Sequence, residues 1–213
     1  MRLSDSKTVL IKCGKTAAVL IGLSALFLVI LNFLKLDENI ESNIKLLFMP
    51  VLCIPVAVCV IAKEYDVNFS KLIPKRPNNI KSMILFILCS ELVLLVIAFI
   101  LGLIFPNTDE PVITSDMALY CVSVCIIGPI AEEVLYRGVL CNQENKINTI
   151  IVAILFSLMH FSVVNFVFYF VFSLICTRAF RKYDTILAPI FMHSFSNLIM
   201  LILLLAPSFI SLK

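Results

Sequence analysis

Apolar runs long enough to cross a bilayer constrain this chain more than any other feature. Seven such runs are present: 16–34, 46–62, 83–105, 117–141, 147–162, 163–177 and 185–206. A bilayer core takes about 20 mainly apolar residues per helix, and the backbone there must satisfy its own hydrogen bonds. The sequence therefore predicts an all-α polytopic bundle of about seven transmembrane helices. With 61% hydrophobic residues and a mean hydropathy of +1.07, it lies well outside the roughly 45–50% apolar share of soluble domains. Pro50 and Pro55 should bend the second span. The fifth and sixth runs adjoin so closely that they read either as one long segment or as two tightly turned ones. The basic leader (Arg2, Lys7, Lys12, Lys15) is followed by no small-residue cleavage site, so the first run reads as an uncleaved anchor.

Charge alternates between the connecting segments. Lys63, Lys71, Lys75, Arg76 and Lys81 outnumber Glu64 and Asp66 in one, and Arg178, Arg181 and Lys182 face Asp184 in another. Asp37, Glu38 and Glu41 outnumber Lys35 and Lys45, and segment 106–116 carries only Asp109, Glu110 and Asp116. The basic excess predicts a cytoplasmic N-terminus and, with seven spans, an external C-terminus. The net charge of +3 reflects this topology, and no basic patch points to nucleic acid. The eight cysteines contain no C-x-x-C pair, and most lie in apolar runs, where cysteine packs as a small hydrophobe.

Within this apolar background stand a few expensive polar groups. Glu132 and Glu133 sit adjacent in the fourth span, with Arg137 four residues beyond Glu133, able to pair with it on a helix. Both histidines lie in apolar segments. Phe156 precedes His160 by one turn, and Asn197 follows His193 by one turn. Taken from the inner end of each span, the acidic pair lies roughly 12–14 Å deep, His193 about 12 Å and His160 about 20 Å if its helix is upright. These groups can meet in one half of the bilayer. Each also has a plainer reading. His160 alone could bond a backbone carbonyl, Asn197 alone could join two helices, and Glu91 in the third span, near Ser90, reads as such an interhelical group. The whole histidine supply placed where desolvation is costly argues for a site.

A carboxylate and an imidazole sharing one water form a general-base pair, while a second imidazole and an amide suit a developing oxyanion. No G-x-S-x-G elbow occurs and no cysteine nucleophile pattern is present, which leaves water as the nucleophile.

The ordered set Glu132-Glu133-x-x-x-Arg137, Phe156-x-x-x-His160 and His193-x-x-x-Asn197 resembles the three-motif signature of the CPBP family. That family includes type II CAAX prenyl endopeptidases and bacterial relatives, some associated with bacteriocin self-immunity. The resemblance covers about residues 117–205 and divides the chain into N-terminal spans (1–116) and a catalytic helical core (117–206). It implies an intramembrane endopeptidase acting on a membrane-associated, prenylated CAAX-type substrate in a bacterial cell membrane. Glu132 and His160 would activate water, His193 and Asn197 would stabilise the tetrahedral intermediate, and Glu133, Arg137 and Phe156 would support them. Its partners are then the lipid bilayer and a peptide or membrane-protein substrate. No cofactor is expected; a zinc version would use Glu132, His160 and His193, but H-E-x-x-H is absent and asparagine is a poor zinc ligand. Two other readings stand beside the enzyme: a non-catalytic membrane binding or immunity protein on the same fold, and a proton-coupled carrier. The absence of a repeat between the halves speaks against the carrier.

Overall fold

The computed structural model describes residues 3–65, 67, 72–105, 116–141 and 145–210. Among the charges used above to assign topology, Arg2, Asp66, Lys71, Asp109 and Glu110 lie outside the described residues. Seven helical rods and no strand occur among the described residues. They are α1 (Leu3–Leu34), α2 (Glu38–Tyr65), α3 (Ile80–Ile104), α4 (Met117–Leu140), α5 (Lys146–Leu158), α6 (Phe166–Tyr183) and α7 (Leu187–Ile210). Five of them, α1 to α4 and α7, are long and apolar enough to cross a membrane. At about 1.5 Å per residue, α5 is roughly 20 Å long and α6 about 27 Å. The adjoining fifth and sixth runs are thus two helices, packed against each other across a short turn.

Polar side chains mark the helix starts. Asp37, Asn79, Asp116 and Asn145 each accept a backbone N–H from the first turn of α2, α3, α4 and α5, which satisfies donors the helix itself leaves open. Left-handed residues follow two ends, with φ of 46° at both Lys35 and Asp184. Along α3, Leu85, Leu92, Phe99 and Leu103 form an exposed apolar stripe, each 62–67% accessible. Such a stripe belongs against lipid.

Two helices contain the same local device. In α2, Met49–Cys53 winds as a π turn in which the Ile54 N–H reaches the Met49 carbonyl. In α4, Ser123–Ile127 does likewise, with the Gly128 N–H bonded to the Ser123 carbonyl. Each π turn is followed by a proline without an N–H, Pro55 and Pro129. The carbonyls of Pro50 and Val124 consequently keep no main-chain donor within their helices. The bend expected from Pro50 and Pro55 takes this form. Loosened π segments of this kind are frequent at functional sites.

The loops group as the charge alternation groups them. Lys75 reaches Asp184 at 3.5 Å, the Thr185 hydroxyl donates to the Lys75 carbonyl at 2.7 Å, and Lys15 pairs with Glu64. At the opposite end, the Asp116 N–H donates to Asn43 Oδ1 at 2.9 Å. Basic segments therefore share one face and the acidic ones share the other. All eight cysteines are free. Cys13, Cys53 and Cys176 are buried, and all three belong to the apolar core around Leu135, Phe156 and Met192.

Candidate active site

Two neighbouring carboxylates in α4 have different surroundings. Glu133 is fully buried, whereas the side chain of Glu132 keeps 25% of its surface accessible. Arg137, one turn on and also buried, binds Glu133 twice: Nη1 donates to Oε1 at 3.1 Å, and Nε lies 3.1 Å from Oε2 as an ion-pair contact. Its Nη2 donates to both the carbonyl and the hydroxyl of Ser173 on α6, at 3.1 Å each. Fork-shaped guanidinium contacts of this kind offset part of the cost of burying the charges.

His193 on α7 completes that network. Its Nδ1 lies 2.8 Å from Glu133 Oε1, and its Nε2 stands 4.0 Å from Glu132 Oε2. Glu133 therefore orients the ring through Nδ1–H and leaves Nε2 facing Glu132. Phe172 meets the same imidazole edge-on, with ring centres 4.8 Å apart.

His160 differs from its expected place. The span predicted over 147–162 ends as a helix at Leu158, so His160 lies in the turn that follows. Its Nδ1–H donates to the Phe156 carbonyl at 2.7 Å, covering one of the carbonyls that a helix end leaves open. The next residue, Phe161, has φ 50°. No glycine or proline marks this stop; the imidazole itself serves as the cap. The Phe156 ring lies 4.6 Å from the imidazole, as the one-turn spacing requires, and Tyr169 stacks on it at 3.8 Å. With Nδ1 holding the proton, Nε2 keeps a free lone pair.

Asn197 donates through Nδ2 to the Val124 carbonyl at 2.8 Å. That carbonyl is the one freed by the π turn and Pro129, so the amide repairs a defect in α4 while joining α7 to it. Glu91, read from the sequence as an interhelical group, is met by Ser196 of α7, whose hydroxyl donates to Oε1 at 3.3 Å. Glu91 is buried, and its contact also ties two helices together.

Glu132, Phe156, His160, His193 and Asn197 line a single cavity of about 550 Å³, a size typical of ligand sites. Glu133 and Arg137 are absent from its wall and stand behind it. Glu132 Oε2 is buried without a hydrogen-bond partner. Sequence reasoning missed Tyr169, Phe172 and Ser173, whose spacing on α6 turns them toward α4, α5 and α7; a cluster of aromatic and small polar residues on one helix face was the available signal.

The donors for zinc are of the right types, but they are not drawn together. Tetrahedral ligands about 2.0–2.2 Å from zinc stand roughly 3.3–3.5 Å from one another, against 4.0 Å between His193 and Glu132. Among the described residues no three His, Cys, Asp or Glu side chains form a metal-holding group. Glu132, His160 and His193 as arranged do not fit that ion.

No curated protein and no solved structure matches the chain. Residues 114–199 match the family model described as Type II CAAX prenyl endopeptidase Rce1-like. This stretch runs from just before α4 into α7 and contains every side chain of the cavity's polar wall and the pair behind it.

Proposed function

We propose that the chain is a membrane-embedded endopeptidase that hydrolyses a peptide bond of a membrane-associated, prenylated CAAX-type substrate without a metal. The observation that carries this reading is the convergence of Glu132, His160, His193 and Asn197 on one cavity, with the Glu133–Arg137 pair excluded from it. Water bound between Glu132 Oε2 and His160 Nε2 gives its proton to Glu132 as its oxygen bonds to the substrate carbonyl carbon. The carbonyl electron pair moves onto oxygen. That oxygen is met by the second amide hydrogen of Asn197 and by the Nε2 side of the His193 ring, whose Nδ1 is held by Glu133. On collapse the C–N bond breaks and the departing nitrogen takes the proton from Glu132, giving a carboxylic acid and an amine and returning Glu132 to its carboxylate; the acid then passes its proton to the amine. General-base assistance is worth on the order of 10²–10⁴-fold, and one oxyanion donor about 10²–10³. The excess of basic residues in these loops supports a cytoplasmic side for the N-terminus and for the face carrying Lys75 and Asp184.

The test is hydrolysis by the purified chain in lipid vesicles, using a peptide library that includes prenylated C-terminal peptides. Glu132→Gln should lower turnover by at least about a hundredfold, and stringent chelation should leave the wild-type rate unchanged. Full activity in Glu132→Gln would sink the mechanism, and activity abolished by chelation and restored by zinc would sink its metal-free form. Absence of cleavage across the library would favour the binding-protein alternative.

A further inference from the structure

A second cavity, of about 270 Å³, adjoins the first. Glu132, His160, Val124 and Asn197 line both, so the polar groups form a waist between two chambers. Beyond the waist the N-terminal spans supply an apolar stretch of wall: Leu20 of α1 and Leu46, Met49, Pro50 and Ile54 of α2. None of these five residues falls within the segment 114–199 that matches the family model, whereas Ser123, Gly128, Pro129, Tyr136 and Met159, which complete the wall, do, so the N-terminal spans and that segment shape the chamber together. Its wall includes the π turn of α2, whose Pro50 carbonyl lacks a helical donor. The Met49 thioether is anchored there, since the Ser24 hydroxyl donates to its sulfur at 3.3 Å.

Size narrows what can enter. Taking about 30 Å³ as the share of one water in the liquid, the smaller chamber corresponds to roughly nine waters. A helical segment does not fit; one or two aliphatic side chains do. The larger chamber, with Leu101, Gly102, Leu203 and Leu204 in its wall, takes the longer part of the substrate.

We propose that the smaller chamber is a specificity subsite. It receives the compact aliphatic side chain of the substrate residue that lies across the scissile bond from the segment held in the larger chamber. Met49 sets the size limit. This inference rests on the endopeptidase reading.

The experiment uses the full chain in lipid vesicles and a peptide library in which the residues on both sides of the cleaved bond vary independently among Ala, Val, Leu and Phe. Met49→Trp should reduce kcat/KM for Leu relative to Ala at one flank by about 10–200-fold, the usual value of a misfitting apolar group. Met49→Ala should move the preference at that same flank toward Phe. Preference at the other flank should stay as in the wild type. Ile54→Val enlarges the same wall more gently and should give a smaller shift in the direction of Met49→Ala if Met49→Trp fails to fold. Cleavage by the Met49 and Ile54 variants with wild-type preference at both flanks would overturn the subsite and leave the endopeptidase reading standing. Failure of the wild-type chain to cleave any library member would overturn that reading, and the subsite with it.

Discussion

Replacing Arg137 with methionine keeps an unbranched apolar stem as far as the position of Nε and removes the guanidinium charge from a site with no solvent access. The arginine makes two contacts to Glu133 and two to Ser173, all at 3.1 Å. Without it, the Glu133 carboxylate stays fully buried with His193 Nδ1 as its remaining close partner, at 2.8 Å. Breaking a buried pair by removing one member costs about 3–5 kcal/mol. The surviving hydrogen bond to a charged group contributes about 1.5–3 kcal/mol, which places the expected loss near the lower end, about 3 kcal/mol. The double variant Glu133→Gln/Arg137→Met removes both charges, and glutamine can still accept from His193. It should therefore be more stable than the sum of the single losses predicts, with a coupling of about 1–3 kcal/mol. Equilibrium unfolding of the four proteins in mixed micelles measures that cycle. A single Arg137→Met variant within about 0.5 kcal/mol of the wild type, or strictly additive losses, would refute the claim that these charges stabilise each other.

Phe156 touches the rings of Tyr136, His160, Tyr169, Phe172 and His193 and is fully buried. Phe156→Ala should cost about 3–5 kcal/mol in the same unfolding assay, with Phe156→Leu well below that. Asn197→Ala leaves the Val124 carbonyl without its donor, which predicts a stability loss of about 1–3 kcal/mol. The same variant should reduce kcat by about 10²–10³ if the amide meets the oxyanion; a stability loss with normal kcat would confine Asn197 to joining helices. Tyr169→Leu removes the ring stacked on His160 and should lower kcat about ten- to a hundredfold with KM little changed. Tyr169→Phe keeps the stack and should behave as wild type, so equal damage from both would show that the hydroxyl, not the ring, is what matters.

The spans were legible because bilayer thickness imposes a length and a composition on any helix that crosses it. The one-turn pairs were legible for a similar reason: Glu133 with Arg137, and Phe156 with His160, meet through helical periodicity alone. The end of α5 was not legible. Its stop depends on the His160 imidazole turning back onto the Phe156 carbonyl, and no glycine or proline announces it.

Sequence by itself determined that this is an all-helical membrane protein with most of its costly polar groups gathered in three C-terminal segments. That follows from local rules, the rise of a helix and the cost of an exposed polar group in lipid. Tertiary structure decided how those groups divide. Glu132 opens onto the cavity, while Glu133 is enclosed by Arg137, Ser173 and His193, although the two residues are adjacent and chemically alike. Only the packing of α6 and α7 against α4 separates them, because burial and hydrogen-bond partners come from other helices. The same packing supplies Asn197 to the carbonyl that the π turn and Pro129 leave free, and it closes the smaller chamber with α1 and α2, whose sequences carry no sign of the site they border.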